Sequence, residues 1–167
     1  MIISQIVAVS FNHVIGVNRG LPWHMPTDMN YFKEKTWGHH IVMGRRNYKV
    51  EGRALPGRVN IVLTHNPDYK IPDGIVVHSL KDAISIAEDA GETELFIAGG
   101  EDIYKLAMPV TDRIYLTHIH TEVEGDTFYP ELDSDVWKEV SCISYKKDDQ
   151  NPFDYDFLVY ERRNKSA

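Results

Sequence analysis

Residues 2–11, IISQIVAVSF, form an almost continuous apolar run at the start of the chain. Four similar runs rich in Ile and Val follow, at residues 40–43, 59–63, 75–77 and 95–98. Apolar residues that are continuous rather than alternating are typical of strands buried on both faces of a parallel sheet. The sequence therefore predicts a largely parallel sheet. The first run is expected to be a buried strand rather than a secretory signal, because it has no basic leader.

Helices are predicted between these runs, at residues 27–36, after Ser79 and at residues 100–108. Ser79 and Asp82 resemble a capping pair, apolar residues follow at helical spacing, and Gly91 stops the helix. The proline that follows residue 108 is expected to end the third helix. Helical segments that alternate with buried strands favour a fold in which helices cover a parallel sheet.

The last third of the chain has a different pattern. Residues 113–120, 138–145 and 155–161 alternate more between apolar and polar side chains, which predicts antiparallel strands at one side of the sheet. Together these elements predict a three-layer α/β fold, with a mostly parallel central sheet, helices on both faces and an antiparallel C-terminal edge. No repeat or long linker interrupts the chain, so residues 1–167 are predicted to form a single domain.

Composition and charge limit the ligands that this chain can bind. Its 25 acidic and 18 basic side chains give a net charge of −7, which disfavours nucleic acid and anionic membranes. Residues 45–58 depart from this balance, with five basic side chains and one acidic one. A basic segment of this size suits a compact, multiply anionic ligand. Cys142 is the single cysteine, so a reducing cytoplasm is expected.

Groups that suit a phosphorylated nucleotide follow three of the predicted strands. They are Met43-Gly44-Arg45-Arg46, Leu63-Thr64-His65 and Ala98-Gly99-Gly100-Glu101. In α/β proteins ligands bind at the carboxyl ends of parallel strands, and free backbone N–H groups at a helix start attract phosphate. Forked arginine donors suit a phosphate monoester, with about 1.5–3 kcal/mol for each hydrogen bond. A 2′-phosphate, as in NADPH, would account for both arginines.

Each of these signals has a simpler interpretation when it is taken alone. A Gly-Gly pair after a strand is often a turn, and an Arg-Arg pair is often a solvated helix face. The G-x-G-x-x-G fingerprint is absent from the sequence, which disfavours a standard dinucleotide-binding fold. The repetition of such groups at successive strand ends is what favours a nucleotide site.

Asp28 lies in the first turn of the helix predicted at residues 27–36, where the helix dipole favours a carboxylate. One interpretation is that Asp28 only caps this helix beside Thr27. The other is a ligand site, because Phe32 lies one turn along the same face and Trp23 shortly before it. A carboxylate flanked by aromatic rings can bind a planar ligand through paired hydrogen bonds to an amidine-like N–C–N edge of that ligand.

Short motifs occur in a fixed order along almost the whole chain. They are Ile15-Gly16, Leu21-Pro22-Trp23, Pro26-Thr27-Asp28, Phe32, Met43-Gly44-Arg45, Leu55-Pro56-Gly57-Arg58, Gly99-Gly100 with Tyr104, Leu116-Thr117-His118-Ile119 and EGDTFYP at residues 124–130. In this order and spacing the set resembles the dihydrofolate reductases. The resemblance implies NADPH-dependent reduction of 7,8-dihydrofolate to 5,6,7,8-tetrahydrofolate for one-carbon metabolism, by a cytoplasmic monomer that binds neither nucleic acid nor membrane.

The resemblance also implies how the substrate binds. Asp28 would hold the 2-amino and N3 groups of the pterin and polarise the ring, Thr117 would hydrogen-bond to Asp28, and a water would deliver the proton to N5. Phe32 and Leu55 would cover the pterin and aminobenzoyl rings, and Arg58 would pair with the α-carboxylate of the glutamate tail. The pocket floor and the nicotinamide slot would be lined by Ile6, Val7, Ala8 and Ile15.

The binding of NADPH is implied in the same way. Residues 16–23 would close over the nicotinamide, with Leu21 and Trp23 excluding water from the catalytic site. Residues 38–88 would form an adenosine-binding lobe, and Gly99–Gly100 would be a cis peptide link beside the cofactor. The 2′-phosphate end would be held by Arg45, Arg46, Thr64 and His65. Further cofactor contacts would come from Ala8, Gly16, Gly44, Asn47, Leu63, Ala98, Glu101, Asp102, Ile103, Tyr104 and Thr127.

Several positions depart from the commonest family pattern. Asn47 and Tyr48 stand where Thr and an aromatic residue, often Trp, are usual. Glu51 places an acid near an apolar wall and an anionic tail, so either it turns outward or its helix is shifted. Ala98 is smaller than the usual Ile. Asp102 replaces a residue that is basic in some members, which would leave more of the phosphate contact to the two arginines.

Three other interpretations remain open. The first is a metal site, because alternate residues on one strand face, His118, His120 and Glu122, have a spacing that can ligate a metal. A solvent-exposed strand face is the simpler explanation, and no metal is predicted. A reductase acting on a ribosylated aminopyrimidine is the second, and Arg58 argues against it because that substrate has no glutamate carboxylate. The third is a non-catalytic NADPH-binding regulator, which would need neither Asp28 nor the loop residues.

Overall fold

The computed structural model describes residues 1–16 and 23–163. Its strands are β1 (Ile2–Val9), β2 (Val14–Gly16), β3 (His40–Gly44), β4 (Val59–Leu63), β5 (Ile75–Val77), β6 (Glu94–Ile97), β7 (Arg113–Ile119), β8 (Thr127–Phe128), β9 (Trp137–Tyr145) and β10 (Tyr155–Arg162). Its helices are α1 (Pro26–Thr36), α2 (Arg45–Glu51), α3 (Leu80–Asp89) and α4 (Glu101–Ala107), with a 3₁₀ turn at Met108–Val110. Within the described ranges, no helix is long and apolar enough to cross a membrane.

Eight strands form one sheet, in the order β5-β4-β3-β6-β1-β7-β10-β9. All neighbours from β5 to β7 are parallel, whereas β10 is antiparallel to both β7 and β9. The five apolar runs form β1, β3, β4, β5 and β6, so the predicted α/β fold with a mostly parallel sheet is confirmed. The short strands β2 and β8 form a separate two-stranded sheet, which the sequence patterns do not predict.

The direction of β7 corrects one prediction. Residues 113–120 were expected to be an antiparallel strand, but β7 pairs in parallel with β1, from Ser4 opposite Arg113 to Val9 opposite His118. Its antiparallel neighbour is β10, on the other side. Most of β7 is buried inside the sheet, so its side-chain pattern does not report the direction of its neighbours. The antiparallel edge therefore begins one strand later, at β10 and β9.

Helices cover both faces of the sheet, and β1 separates two apolar clusters. Val7 of β1 packs with Ile103 of α4 and with residues of α3 in one cluster. Ile6, the preceding residue, packs with Phe32 of α1 and Tyr48 of α2 in the other. Side chains alternate across a strand, so the same strand supports one apolar cluster on each face of the sheet.

The helix ends follow the predicted signals, with one difference. The Ser79 hydroxyl accepts a hydrogen bond of 3.1 Å from the Asp82 N–H, as the capping pair predicts. After α3 the chain turns at Gly91, whose φ of +75° is the left-handed conformation that glycine adopts most readily. Pro109 lies inside the 3₁₀ turn after α4 rather than beyond the last helical residue, because proline is tolerated in the first turn of a helix.

Candidate active site

The predicted ligand-binding strand ends meet at one edge of the sheet. Gly44, at the end of β3, donates its N–H to the carbonyl of Gly99, 2.9 Å away, and it lies opposite Leu63 of β4. Thr64, directly after β4, donates to the carbonyl of Val77 at the end of β5, at 3.0 Å. The three segments singled out in the sequence are therefore neighbours in space, at the carboxyl ends of parallel strands.

Glycine is required where α4 packs against these strand ends. The Gly99–Gly100 peptide bond is cis, as the resemblance implies. Gly99 has a φ of +98°, and a Cβ there would lie 2.9 Å from the ring of Tyr104. A Cβ on Gly44 would lie 3.2 Å from the Ile103 side chain. These glycines therefore let the backbone of two strand ends approach the helix closely.

The basic side chains expected to bind phosphate differ in exposure. Arg45 is half-buried, with its guanidinium carbon 5.8 Å from the centre of the Tyr69 ring, a cation–π arrangement that positions the side chain. Arg46 and His65 are exposed, and Thr64 is buried. The first turn of α2 contains both arginines and no acidic residue. This corner therefore offers positive charge to an anion.

Two predicted cofactor residues also hold the strand ends in place. The side-chain amide of Asn47 donates to the carbonyl of Ala98 at 3.2 Å, which joins α2 to the end of β6. The Glu101 carboxylate accepts a hydrogen bond of 2.7 Å from the N–H of Phe128 and lies 3.7 Å from Lys105 Nζ. Asn47, where the family usually has Thr, is thus accommodated by a hydrogen bond across the cleft edge.

Asp28 is held by a side chain from β7. The Thr117 hydroxyl donates to Asp28 Oδ1 at 2.6 Å, and Thr117 lies opposite Ala8 of β1. Burial raises the pKa of Asp28 above its usual value of 3.8, and the hydrogen bond from Thr117 opposes that rise in part. The carboxyl group therefore lies in a partly dehydrated place, where a cationic or N–H-rich ligand would favour its charged form.

Asp28 does not cap α1, because a distant residue does so. The side-chain oxygen of Asn151, in the loop between β9 and β10, accepts a hydrogen bond of 3.1 Å from the Thr27 N–H. The amide of Asn151 donates to the Thr27 hydroxyl at 2.9 Å and to Asp148 at 3.0 Å. The capping interpretation of Asp28 is therefore wrong. Asn151 was not found from the sequence, since nothing in a loop asparagine shows which helix it will meet.

Apolar side chains cluster beside α1, one turn along the helix from Asp28. Phe32 and Leu55 pack against the cluster that contains Ile6, and the Ile6 carbonyl accepts a hydrogen bond of 2.7 Å from the Tyr104 hydroxyl. Val7 corrects the predicted lining, because its side chain packs into the cluster on the opposite sheet face. Any contact of Val7 with the pocket can come only from its main chain.

Arg58 is half-buried and held within the protein. Its Nε donates to the carbonyl of Pro56 at 2.8 Å, and its Nη1 donates to the Thr36 hydroxyl at 3.2 Å. The guanidinium carbon also lies 5.5 Å from the centre of the Trp37 ring. Partial burial lowers the pKa of Arg58, and the negative charge of Glu51 acts against this. Glu51 itself is exposed at the end of α2, which agrees with the first of the two alternatives for this residue, that it turns outward.

Trp23 is buried, and its indole N–H makes no hydrogen bond to any part of the chain that the structure describes. It packs in a third apolar cluster with Met25 and Tyr155. The closing loop predicted at residues 16–23 falls mostly outside the described residues, as does Leu21. Gly16 is described, and it pairs with Thr127 where β2 meets β8.

The fold and this site define an α/β protein whose cleft lies at the carboxyl ends of parallel strands, where proteins of this class bind nucleotides. Residues 2–162 match the family described as dihydrofolate reductase. The chain belongs to the dihydrofolate reductase family.

Relatives and a solved structure resemble the chain over nearly its full length. It is 47% identical over 164 residues to the dihydrofolate reductase of Bacillus subtilis (strain 168), covering 98% of this chain and 96% of that protein. It is 45% identical over 160 residues to the dihydrofolate reductase of Staphylococcus haemolyticus, and the match covers 96% of this chain and 95% of that protein. The structure of the dihydrofolate reductase from Enterococcus faecalis, solved in complex with NADP(H) and RAB-propyl, matches this one with a TM-score of 0.91. The two sequences are 39% identical, and the match covers 98% of this chain and 97% of that chain.

Proposed function

We propose that this protein catalyses the NADPH-dependent reduction of 7,8-dihydrofolate to 5,6,7,8-tetrahydrofolate, with Asp28 orienting and polarising the pterin. The observation that carries the proposal is the half-buried carboxyl group of Asp28, which is hydrogen-bonded to Thr117 at 2.6 Å and whose pKa is raised by burial. A carboxylate in such a place gains most from a planar ligand that presents two adjacent N–H groups, because paired charge-assisted hydrogen bonds replace lost hydration. The 2-amino and N3 groups of a pterin provide this edge.

The remaining cleft residues suit the rest of the substrate. Phe32 and Leu55 supply apolar surface for the pterin and aminobenzoyl rings, together with Ile6 and Ala8 of β1. Arg58 is fixed by Pro56 and Thr36, so a carboxylate of the glutamate tail would meet a guanidinium that is already oriented. Such preorganisation reduces the entropy that is lost on binding.

The strand ends suit NADPH, which supplies the hydride when it is bound. The fit rests on the close backbone approach at Gly44 and Gly99 and on the two arginines that follow β3. Arg45, Arg46, Thr64 and His65 would hold the 2′-phosphate, and residues 38–88 would form the adenosine-binding lobe of a single domain. The other proposed cofactor contacts are Ala8, Ile15, Gly16, Asn47, Leu63, Ala98, Gly100, Glu101, Asp102, Ile103, Tyr104 and Thr127.

Proton delivery to the substrate would depend on Asp28 without direct transfer from it. The carboxyl group would orient and polarise the pterin, and a water would deliver the proton to N5. Trp23, with Leu21 from the adjoining segment, would exclude other water from the slot. We further propose that the protein acts as a cytoplasmic monomer in one-carbon metabolism, without nucleic acid or membrane as a partner.

The test is to mix the protein with NADPH and dihydrofolate and follow the absorbance of the reduced cofactor. We expect Asp28→Asn to lower turnover at neutral pH by about 10²- to 10³-fold, the effect of removing one preorganised group that stabilises charge in the transition state, and to leave the NADPH Kd nearly unchanged. The matched control is Asp89→Asn, at the exposed C-terminal end of α3, which should keep wild-type rates.

Three results would contradict the proposal. Equal losses of turnover and of NADPH binding in Asp28→Asn would remove the specific role of the carboxyl group. Oxidation of NADPH with a ribosylated aminopyrimidine and not with dihydrofolate would favour the other reductase of the same fold. Tight NADPH binding without oxidation by either substrate would favour a non-catalytic regulator.

A further inference from the structure

Three side chains that can bind a metal come together at the end of β7 and on β10, on the opposite side of β7 from Thr117. Asp156 of β10 lies opposite His118 of β7, and His120 follows His118 by two residues. Asp156 Oδ2 lies 2.7 Å from His120 Nε2 and 3.9 Å from His118 Nδ1. One ligand atom from each residue lies within 4.8 Å of the other two. Glu122, the third ligand suggested by sequence spacing, is exposed and outside this group.

The distances are close to those of a coordinated ion. Zn²⁺ binds imidazole nitrogen and carboxylate oxygen at about 2.0–2.2 Å, so two ligand atoms on a tetrahedral ion lie about 3.4 Å apart. The two separations from Asp156 Oδ2, 2.7 and 3.9 Å, fall on either side of that value. Small side-chain rotations that bring both separations to this value would let the three atoms share one ion.

Neighbouring groups already orient the three side chains. The Ser144 hydroxyl on β9 donates to Asp156 Oδ1 at 2.6 Å, which leaves Oδ2 facing the histidines. The ring of Phe11 lies 4.9 Å from the His118 ring, edge to face, and 5.1 Å from the His120 ring, nearly stacked. The side chains of His118, His120 and Asp156 are 31%, 32% and 17% exposed. They are thus reachable from solvent yet partly dehydrated, with an outer shell that restricts their motion.

We propose that His118, His120 and Asp156 form a binding site for a divalent transition-metal ion. Two imidazoles and one carboxylate prefer ions such as Zn²⁺, Co²⁺ and Ni²⁺ to Mg²⁺ or Ca²⁺, which require mainly oxygen ligands. Three protein ligands leave at least one position for water. The bound ion would join β7 to β10 on the face away from Asp28, so its role is independent of the reaction proposed above.

The experiment uses untagged full-length protein that has been dialysed against a chelator and then titrated with Co²⁺. We expect one equivalent to produce visible absorption bands of a nitrogen- and oxygen-ligated ion, which Zn²⁺ then removes by competition. Zn²⁺ should also raise the Tm, because it binds the folded state. His120→Ala and Asp156→Asn should abolish both effects, while His24→Ala, which removes an exposed histidine elsewhere, should retain them.

Ser144→Ala provides a second, milder test, because it leaves all three ligands in place and removes only the hydrogen bond to Asp156. Loss of such an outer contact lowers metal affinity by about 10- to 100-fold. Two outcomes would overturn the proposal. One is the absence of saturable Co²⁺ or Zn²⁺ binding to the wild-type protein, which would leave the group as a histidine–carboxylate ion pair. The other is equal binding by wild type, His120→Ala and Asp156→Asn, which would place the ion elsewhere.

Discussion

Asp28 lies where its charge is unfavourable for folding, and this gives a pH-dependent prediction. Its pKa is raised by burial, so between 3.8 and the raised value the folded chain holds a proton that the unfolded chain has lost. Stability therefore falls as the pH rises through this window. We expect Asp28→Asn to unfold at a higher temperature than wild type at neutral pH, by about 2–4 °C for each kcal/mol gained.

Urea or thermal unfolding of both proteins from acid to neutral pH measures this difference. It should shrink as the pH falls towards 3.8, because wild-type Asp28 is then neutral too. If Asp28→Asn were less stable than wild type at neutral pH, this would contradict the prediction that the charge of Asp28 destabilises the folded protein. In that case, the presence of the Asp28 carboxyl group at the site would not lower the stability of the folded protein.

Arg45 gives a second prediction at the residue scale, about cofactor choice. Its half-buried guanidinium lies beside Tyr69, next to the Gly44 strand end. If it holds the 2′-phosphate, Arg45→Ala should raise the KM for NADPH by about 10- to 100-fold, since one charge-assisted contact contributes about 1.5–3 kcal/mol. The KM for NADH, which has no 2′-phosphate, should change little. A uniform loss for both cofactors in steady-state assays would argue against this assignment.

At the scale of elements, the position of α1 depends on a loop more than a hundred residues away. Asn151 accepts from the Thr27 N–H and donates to the Thr27 hydroxyl, one residue before Asp28. It therefore supplies the capping hydrogen bond that the side chain of the N-cap residue, Met25, does not make in the described structure. The loop between β9 and β10 thus helps to set the place of the carboxyl group that is proposed to bind the pterin.

Asn151→Ala is expected to destabilise the protein by about 1–2 kcal/mol, the usual effect of removing a capping side chain. It should also lower turnover of dihydrofolate more than it affects NADPH binding, because it loosens the first turn of α1. Gln150→Ala is the matched control, since only the main chain of Gln150 forms a hydrogen bond to Asp148 in the structure described. Equal Tm values for the two variants in thermal unfolding would contradict the role of Asn151.

For the whole molecule, Glu92 joins the end of α3 to the start of β3. Its carboxylate accepts hydrogen bonds from the His39 ring at 2.9 Å, from the His40 ring at 2.7 Å and from the His40 N–H. Burial opposes the charge on Glu92, but these hydrogen bonds outweigh it and lower the pKa to about 2 from an ordinary 4.5. The charged carboxylate therefore stabilises the fold above pH 4.5, and that contribution is lost as the pH falls to about 2.

Glu92→Gln should lower the free energy of unfolding at pH 7 by about 2 kcal/mol, the scale of a hydrogen bond to a charged group. The difference from wild type should diminish between pH 4.5 and about 2. Denaturant unfolding at several pH values measures it, with Glu88→Gln, an exposed acid near the end of α3, as the control. A difference that persists unchanged at the lowest pH would show that the loss is not due to the charge.

Local patterns in the sequence were sufficient for much of this protein. Five apolar runs predicted the five strands β1 and β3 to β6, because burial on both faces leaves a continuous apolar pattern that is visible in the chain itself. Ser79 predicted the start of α3, since a cap and its helix are neighbours in sequence. The order of the motifs around Asp28, Arg45 and Gly99-Gly100 predicted the family.

The tertiary structure alone decided how distant segments meet. The parallel pairing of β7 with β1, the capping of Thr27 by Asn151, and the placement of Asp156 beside His118 and His120 all join residues more than 30 positions apart. No periodicity within one segment specifies such a partner, because hydrogen-bond donors and acceptors are common along the chain and only packing selects which of them meet. The sequence by itself therefore determined the five buried strands, the start of α3 and the family, and the folded chain determined which distant segments meet.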